Sequence, residues 1–204
     1  CSRSYRVPPI LLHPHSGQLV RILLQAYTEY LAAPHANLRE LAPKQRCFYE
    51  ERAGMGAIFD TMVRFFRSDD WNFTQLQNEP ILSMGVSGKN GKWRCFAKAR
   101  EEQYQFVFYS VLETNTPENK RAAIAEFLTR ANFGLVIGNF EMDYSDGEIR
   151  YKTSLDTEGD QLSDALIKNA VYTNIVMMDR YLPGIMAVIY GNASAFDAIR
   201  QVEG

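Results

Sequence analysis

Apolar and polar positions along this chain change period several times, and each change marks an element. The firmest stretch runs from Leu135 to Asp156, LVIGNFEMDYSDGEIRYKTSLD. With Asp146-Gly147 as a two-residue turn, Tyr144 pairs with Ile149, Met142 with Tyr151 and Phe140 with Thr153 on one face. Asp143 then meets Arg150, and Glu141 meets Lys152, on the other. One side is apolar and the other carries opposite charges, so slipping by one residue would send a whole strand's side chains to the wrong face.

Residues 81 to 111 alternate in the same way and predict a three-stranded meander. A tight turn at Asn90-Gly91 sets Val86 against Cys95, Met84 against Ala97 and Leu82 against Ala99. A reversal at Glu101-Glu102 sets Ala99 against Tyr104, Ala97 against Phe106 and Cys95 against Phe108. Trp71 to Gln77 predicts a further strand, broken from the meander at Asn78-Glu79-Pro80.

Between these runs the period is helical. Met55, Ile58, Phe59, Met62, Val63 and Phe66 line one side of a helix that stops at Ser68-Asp69-Asp70. Thr116-Pro117-Glu118 predicts a helix start with a capping hydroxyl, and Ala123, Ile124, Phe127, Leu128 and Ala131 give its buried stripe. A long helix is expected from about Gln161 to Leu182, with Leu162, Leu166, Ala170, Val171, Ile175, Met178 and Leu182 on one side and Tyr172, Val176 and Met177 flanking it. Pro183-Gly184 should kink or break it before Ile185 to Tyr190, and Ser194 can cap a last helix to about Val202.

Upstream, residues 1 to 16 hold three prolines and read as an extended arm; a helix over 16 to 31 ends at Pro34, and residues 34 to 54 read as a linker. The domain expectation is therefore an N-terminal arm, helix and linker over 1–54 and an α+β domain over 55–204, its mainly antiparallel sheet carrying helices on one face.

Composition narrows the function classes. The chain is 46% apolar and 23% charged, as soluble globular proteins are. A net charge of -2 gives no overall basic footprint for nucleic acid, so no nucleic-acid partner is expected. Cys1, Cys47 and Cys95 match no zinc or redox spacing, which favours a reducing compartment. The run from Ile175 to Tyr190 is too short and too interrupted to span a membrane. The opening residue, Cys1, reads as the mark of a processed or truncated product.

Motifs that carry chemistry fail on spacing. Gly85-Val86-Ser87-Gly88-Lys89 has Lys89 where a nucleophile elbow needs glycine, and Asn90 where a phosphate loop needs Ser or Thr. Asp156, Glu158 and Asp160 read as a solvated loop capping the next helix, because no bidentate Glu follows at calcium-loop distance. His13 and His15 alternate as metal ligands can, with His35 as a candidate third, but no Cys or carboxylate is placed with them. Cys95, on the core side of a strand, reads as a small hydrophobe. No metal and no cofactor is expected. The alternative in another class is a small-ligand or metal-dependent enzyme using the 156–160 acids or the N-terminal histidines.

What remains unexplained is apolar surface. The meander register puts Phe96, Val107, Tyr109 and Val111 together on the face away from the core, beside Arg94, Lys98 and Gln105. Large contiguous apolar patches are unusual on monomers, so this cluster calls for a cover. Together with Tyr172, Val176 and Met177 it is the candidate for polypeptide binding, with the 16–31 helix of the same chain as a competing cover.

Asp69-Asp70-Trp71-Asn72-Phe73, Phe106 to Ser110, Glu126 to Leu135, Ile137 to Asp143 with Asp146 to Tyr151, and Met178 to Gly184 resemble, in that order, the YbjN-domain proteins of bacteria, often labelled sensory transduction regulators. The likeness is greatest to the cyanobacterial and plastid branch and covers roughly residues 55 to 203. It implies a fold similar to type III secretion chaperones: small α+β proteins that form dimers, bind other polypeptides and have no catalytic centre. On that basis the expectation is a non-enzymatic, chaperone-like or regulatory module. It would form a homodimer, bind a protein client or complex subunit, and reside in the cytoplasm or the plastid stroma.

Overall fold

The computed structural model describes residues 56–77 and 79–204. The expected arm, the 16–31 helix, the linker, Met55, the three histidines and Asn78 lie outside the described residues. The elements run α1 (Ala57–Ser68), β1 (Thr74–Gln75), β2 (Ile81–Ser87), β3 (Lys92–Arg100), β4 (Gln105–Val111), α2 (Arg121–Gly134), β5 (Asn139–Met142), β6 (Ile149–Asp156), α3 (Asp164–Ile189) and α4 (Ala195–Glu203). The six strands form one antiparallel sheet in the order β1-β2-β3-β4-β6-β5. All four helices contribute to one hydrophobic cluster with the core-facing strand residues, among them Leu82, Trp93, Phe108 and Tyr151, so the fold is the expected α+β arrangement. Phe66 of α1 stacks on Phe108 of β4 at 6.2 Å.

Every hairpin register departs from the expected one by two residues, and always so as to keep each side chain on its expected face. Met84 pairs with Cys95 rather than Ala97, Ala97 with Phe108 rather than Phe106, and Phe140 with Tyr151 rather than Thr153. Alternation fixes which face a residue takes but not how long the loop is. Loop length is set instead by what each loop docks against. In the β5–β6 loop, the Gly147 carbonyl accepts the Thr116 N–H at 2.7 Å, and a Cβ on Gly147 (φ 84°) would lie 2.2 Å from the Thr116 oxygen. The Asp143–Arg150 pairing is lost in consequence: Asp143 closes the turn by accepting from Ser145, and Glu141 becomes the partner of Arg150. In the β3–β4 connection, a 3-10 turn over Glu101–Gln103 lets the Glu101 carboxylate accept the N–H groups of Ile58 and Phe59. It thereby caps α1, whose own N-cap residue, Gly56, has no side chain.

Pro183 neither breaks α3 nor ends it; the helix continues to Ile189. A proline in a helix leaves the carbonyl four residues earlier without its donor, here Asp179. That carbonyl accepts the Asn90 side-chain amide at 2.9 Å, and the Asp179 carboxylate accepts the Asn90 backbone N–H at 2.8 Å. The β2–β3 loop thus docks where the proline frees an acceptor. Its Gly88 and Gly91 allow the approach, since a Cβ on Gly91 would sit 2.5 Å from Leu182.

Three smaller expectations also shift. The strand expected over Trp71–Gln77 shrinks to Thr74–Gln75, because Trp71 and Phe73 turn inward onto Phe66. Thr116 does not cap α2: its backbone is committed to the Gly147 loop, and the chain enters the helix through a 3-10 turn over Glu118–Lys120. On α3, Ile167 rather than Leu166 faces the core.

A buried polar tie holds α3 to the sheet. The Asn174 amide, fully buried, donates toward the Phe108 and Tyr151 carbonyls at 3.0 and 3.1 Å, and the Thr153 hydroxyl donates to the Ala170 carbonyl.

Candidate functional site

The sheet's second face lies opposite the four helices of the described residues. Alternation delivers its members: residues 92, 94, 96, 98 and 100 of β3, and 105, 107, 109 and 111 of β4. Phe96 lies directly across from Tyr109, Lys98 from Val107, and Arg94 from Val111. The structure therefore brings Phe96, Val107, Tyr109 and Val111 together. Phe96, Tyr109 and Val111 are half-buried and Val107 is 4% exposed.

The polar neighbours of this apolar strip are mostly cations. On β6, Arg150 and Lys152 flank the strip, and the Arg150 guanidinium lies 4.8 Å from the centre of the Tyr109 ring. Both bind one carboxylate, Glu141 on β5: Arg150 at 2.8 Å, with Lys152 on the other oxygen. Burial alone would push the Glu141 carboxyl up. The hydrogen bonds from Lys152, Arg150 and Asn139 together outweigh it and hold the group below the ordinary Glu value.

On β3 the same face reads Lys92, Arg94, Phe96, Lys98, Arg100. Arg100 donates to the Gln105 amide oxygen, and Gln105 in turn reaches Asp156. Lys92, Arg94 and Lys98 have no carboxylate within ion-pair distance among the described residues. Arg94 also borders a shallow notch with Asn72, Thr74, Ser83 and Gly85, opened because β1 pairs with only two residues of β2. Arg94 and Lys98 stand beside the cluster as expected, and Lys92 and Arg100 extend the row at both ends. Strict alternation in KWRCFAKAR was the signal that would have found them.

Tyr172, Val176 and Met177 belong to α3, on the other side of the sheet, and form no common surface with the Phe96 cluster. Val176 is 54% exposed, while Met177 packs against the core. Tyr172 donates its hydroxyl to Asp69 at 2.8 Å, Trp71 donates its indole N–H to the same carboxylate, and the two rings meet edge to face. The hydrogen bonds from Trp71 and Tyr172 hold the Asp69 carboxyl below the ordinary Asp value. Phe133 and Val136, at the end of α2 and in the loop before β5, are 96% and 97% exposed. Sequence periodicity gave them no role, because two apolar residues at a helix end carry no phase.

The chemistry-bearing candidates are dispersed. Cys95 is fully buried and bonded to the Ser110 hydroxyl, and burial pushes its thiol up to about 12, which makes it a poor nucleophile. Asp156 and Asp160 accept backbone N–H groups of their own loop. Among the described residues no three His, Cys, Asp or Glu converge as metal ligands, and no helix is long and apolar enough to cross a membrane.

Comparison with known proteins bears on the family. No curated protein matches the sequence. Among solved structures, the chain is similar to YbjN of E. coli, described as "a putative transcription regulator", with 10% identity and a TM-score of 0.47, covering 66% of this chain and 90% of that one. It is also similar to a structure of the HopA1-SchA chaperone-effector complex, with 15% identity and a TM-score of 0.40, covering 62% and 94%. A family model described as "Putative bacterial sensory transduction regulator" matches residues 59–186, which take in the whole sheet and nearly all of α3. By that match over more than half its length, the chain belongs to the YbjN family.

Proposed function

We propose that this protein is a non-enzymatic polypeptide-binding module, chaperone-like or regulatory, that acts in the cytoplasm as a homodimer or as an assembly factor for another complex. The observation that carries this reading is the sheet face centred on Phe96 and Tyr109. It bears aromatic and β-branched residues at positions where a one-sided sheet normally shows only polar ones, and it lies opposite all four described helices. Half-buried aromatics bordered by arginines are the composition of interface anchors. Membership of the YbjN family is compatible with this reading and names no partner.

The test is a double substitution, Phe96→Asp with Tyr109→Asp, in the full chain. Folding is checked by circular dichroism, self-association by light scattering, and client capture by crosslinking mass spectrometry. Loss of association or of captured partners with an unchanged fold supports the reading. Unchanged scattering and an unchanged crosslink profile remove this face from consideration.

A further inference from the structure

The geometry points to an acidic polypeptide segment as the occupant of the open sheet face, with its carboxylates on the β3 cations and an apolar side chain on the Phe96–Tyr109 strip. This rests on the polypeptide-binding reading above and narrows it to a class of partner.

Charge placement singles out this occupant. From Gly54 to Gly204 the chain carries fifteen Lys and Arg against twenty Asp and Glu, so this part of the protein is acidic. Its open face is the reverse: among the described strand residues Lys92, Arg94, Lys98, Arg100, Arg150 and Lys152 share it with Glu141 and Asp156, and Glu148, just before β6, reaches Arg150 at 4.0 Å. Glu141 is committed to the β6 pair and Asp156 is reached only through Gln105. Among the described residues the β3 row is left as a line of cations without a carboxylate partner around Phe96, with Arg94 beside a notch whose hydroxyl and amide side chains suit a carboxylate. Successive members of that row stand ~7 Å apart, the spacing of alternate side chains in an extended peptide.

Charge also argues against other covers. A second copy of the face would bring like charges together, which is destabilising. Residues 1–53 hold seven basic and four acidic residues and carry the wrong sign. A nucleic acid would meet the cations, but the Arg150 guanidinium occupies the Tyr109 ring on which a base would stack, and the acidic remainder of the domain repels a polyanion.

The experiment uses fluorescence anisotropy on the full chain with three labelled probes: a peptide alternating Glu and Ser around a central Phe, its Lys-for-Glu counterpart, and oligothymidine. Binding of the acidic peptide should exceed that of the lysine peptide by about tenfold or more, and should weaken between about 50 and 300 mM salt as screening sets in. The double variant Arg94→Glu with Lys98→Glu should lose about tenfold in affinity with its circular dichroism unchanged, while Arg94→Lys with wild-type Lys98 should retain most of it. Equal binding of the two peptides, abolished by Phe96→Asp, would overturn the acidic assignment and leave the polypeptide-binding reading standing. Retention of oligothymidine with neither peptide bound would overturn both. Crosslinks from Lys98 to residues 1–53 that the acidic peptide does not displace would assign the face to the chain's own segment and overturn the inference alone.

Discussion

The two faces of one sheet, built from alternate residues of the same strands, differ in almost everything but backbone. Trp93, Cys95, Ala97 and Ala99 of β3 are nearly or fully buried under the helices, while Lys92, Arg94, Phe96, Lys98 and Arg100 lie between them in sequence and face away. The core face is specified by shape: ring centres 4.7 and 6.2 Å apart, glycines where another chain segment must come close, and an amide placed for two carbonyls. The open face is specified by charge, with tolerant geometry and exposed cations. A core face answers to the rest of its own fold, whereas the other face meets no helix among the described residues.

The sharpest break between them comes from paired truncations. Phe108→Ala should cost about 4 kcal/mol, because it removes a fully buried ring stacked on Phe66 and leaves a cavity. Phe96→Ala, on the half-buried side, should cost about 1 kcal/mol or less; urea denaturation measures both. Similar losses would mean the two faces are equally part of the core. Next in size, Asn174→Asp should lose about 3 kcal/mol at neutral pH, since it presses a carboxylate against two carbonyls with no counter-ion. The new carboxyl would have a folded pKa above its unfolded value, so stability should recover as pH falls and the acid becomes protonated.

A smaller effect tests the docked loop. Asn90→Ala removes the donor to the Asp179 carbonyl and should cost about 1 kcal/mol. In a Pro183→Ala background the same carbonyl regains a helical donor, so the loss should shrink, giving a coupling of about 0.5 kcal/mol or more in a double-mutant cycle. Smallest is Glu141→Gln on the open face, below about 1 kcal/mol at pH 7 because the ion pairs are partly exposed. Glu141 has a folded pKa below the ordinary ~4.3, so its contribution is present above that value and disappears as pH falls through the lower folded one. The difference between wild type and variant should therefore vanish in acid.

Much of this architecture was legible in the chain. Element order, the antiparallel α+β class and the face of nearly every strand residue follow from periodicity, because a period of two survives any even error in register. Loop length was not legible. Asn90-Gly91 and Asp146-Gly147 look like two-residue turns, but each sits in a longer loop whose form is decided by a partner far along the sequence, Asp179 in one case and Thr116 in the other. The persistence of α3 through Pro183 was hidden for the same reason: the compensating donor comes from another element. The apolar half of the open face was read from the sequence, and its cationic half was missed because net charge averages over both faces.

Asn90 and Asp179 are 89 residues apart in the chain, yet each completes the other's hydrogen bonding. During synthesis the first hairpin leaves the ribosome long before the helix turn that anchors its tip has been made. The β4 edge likewise waits for β6, which is translated after β5 but inserts between the two. A nascent chain halted before Asp179 would hold a meander with a loose tip, and only translation of the Asp179 turn closes it.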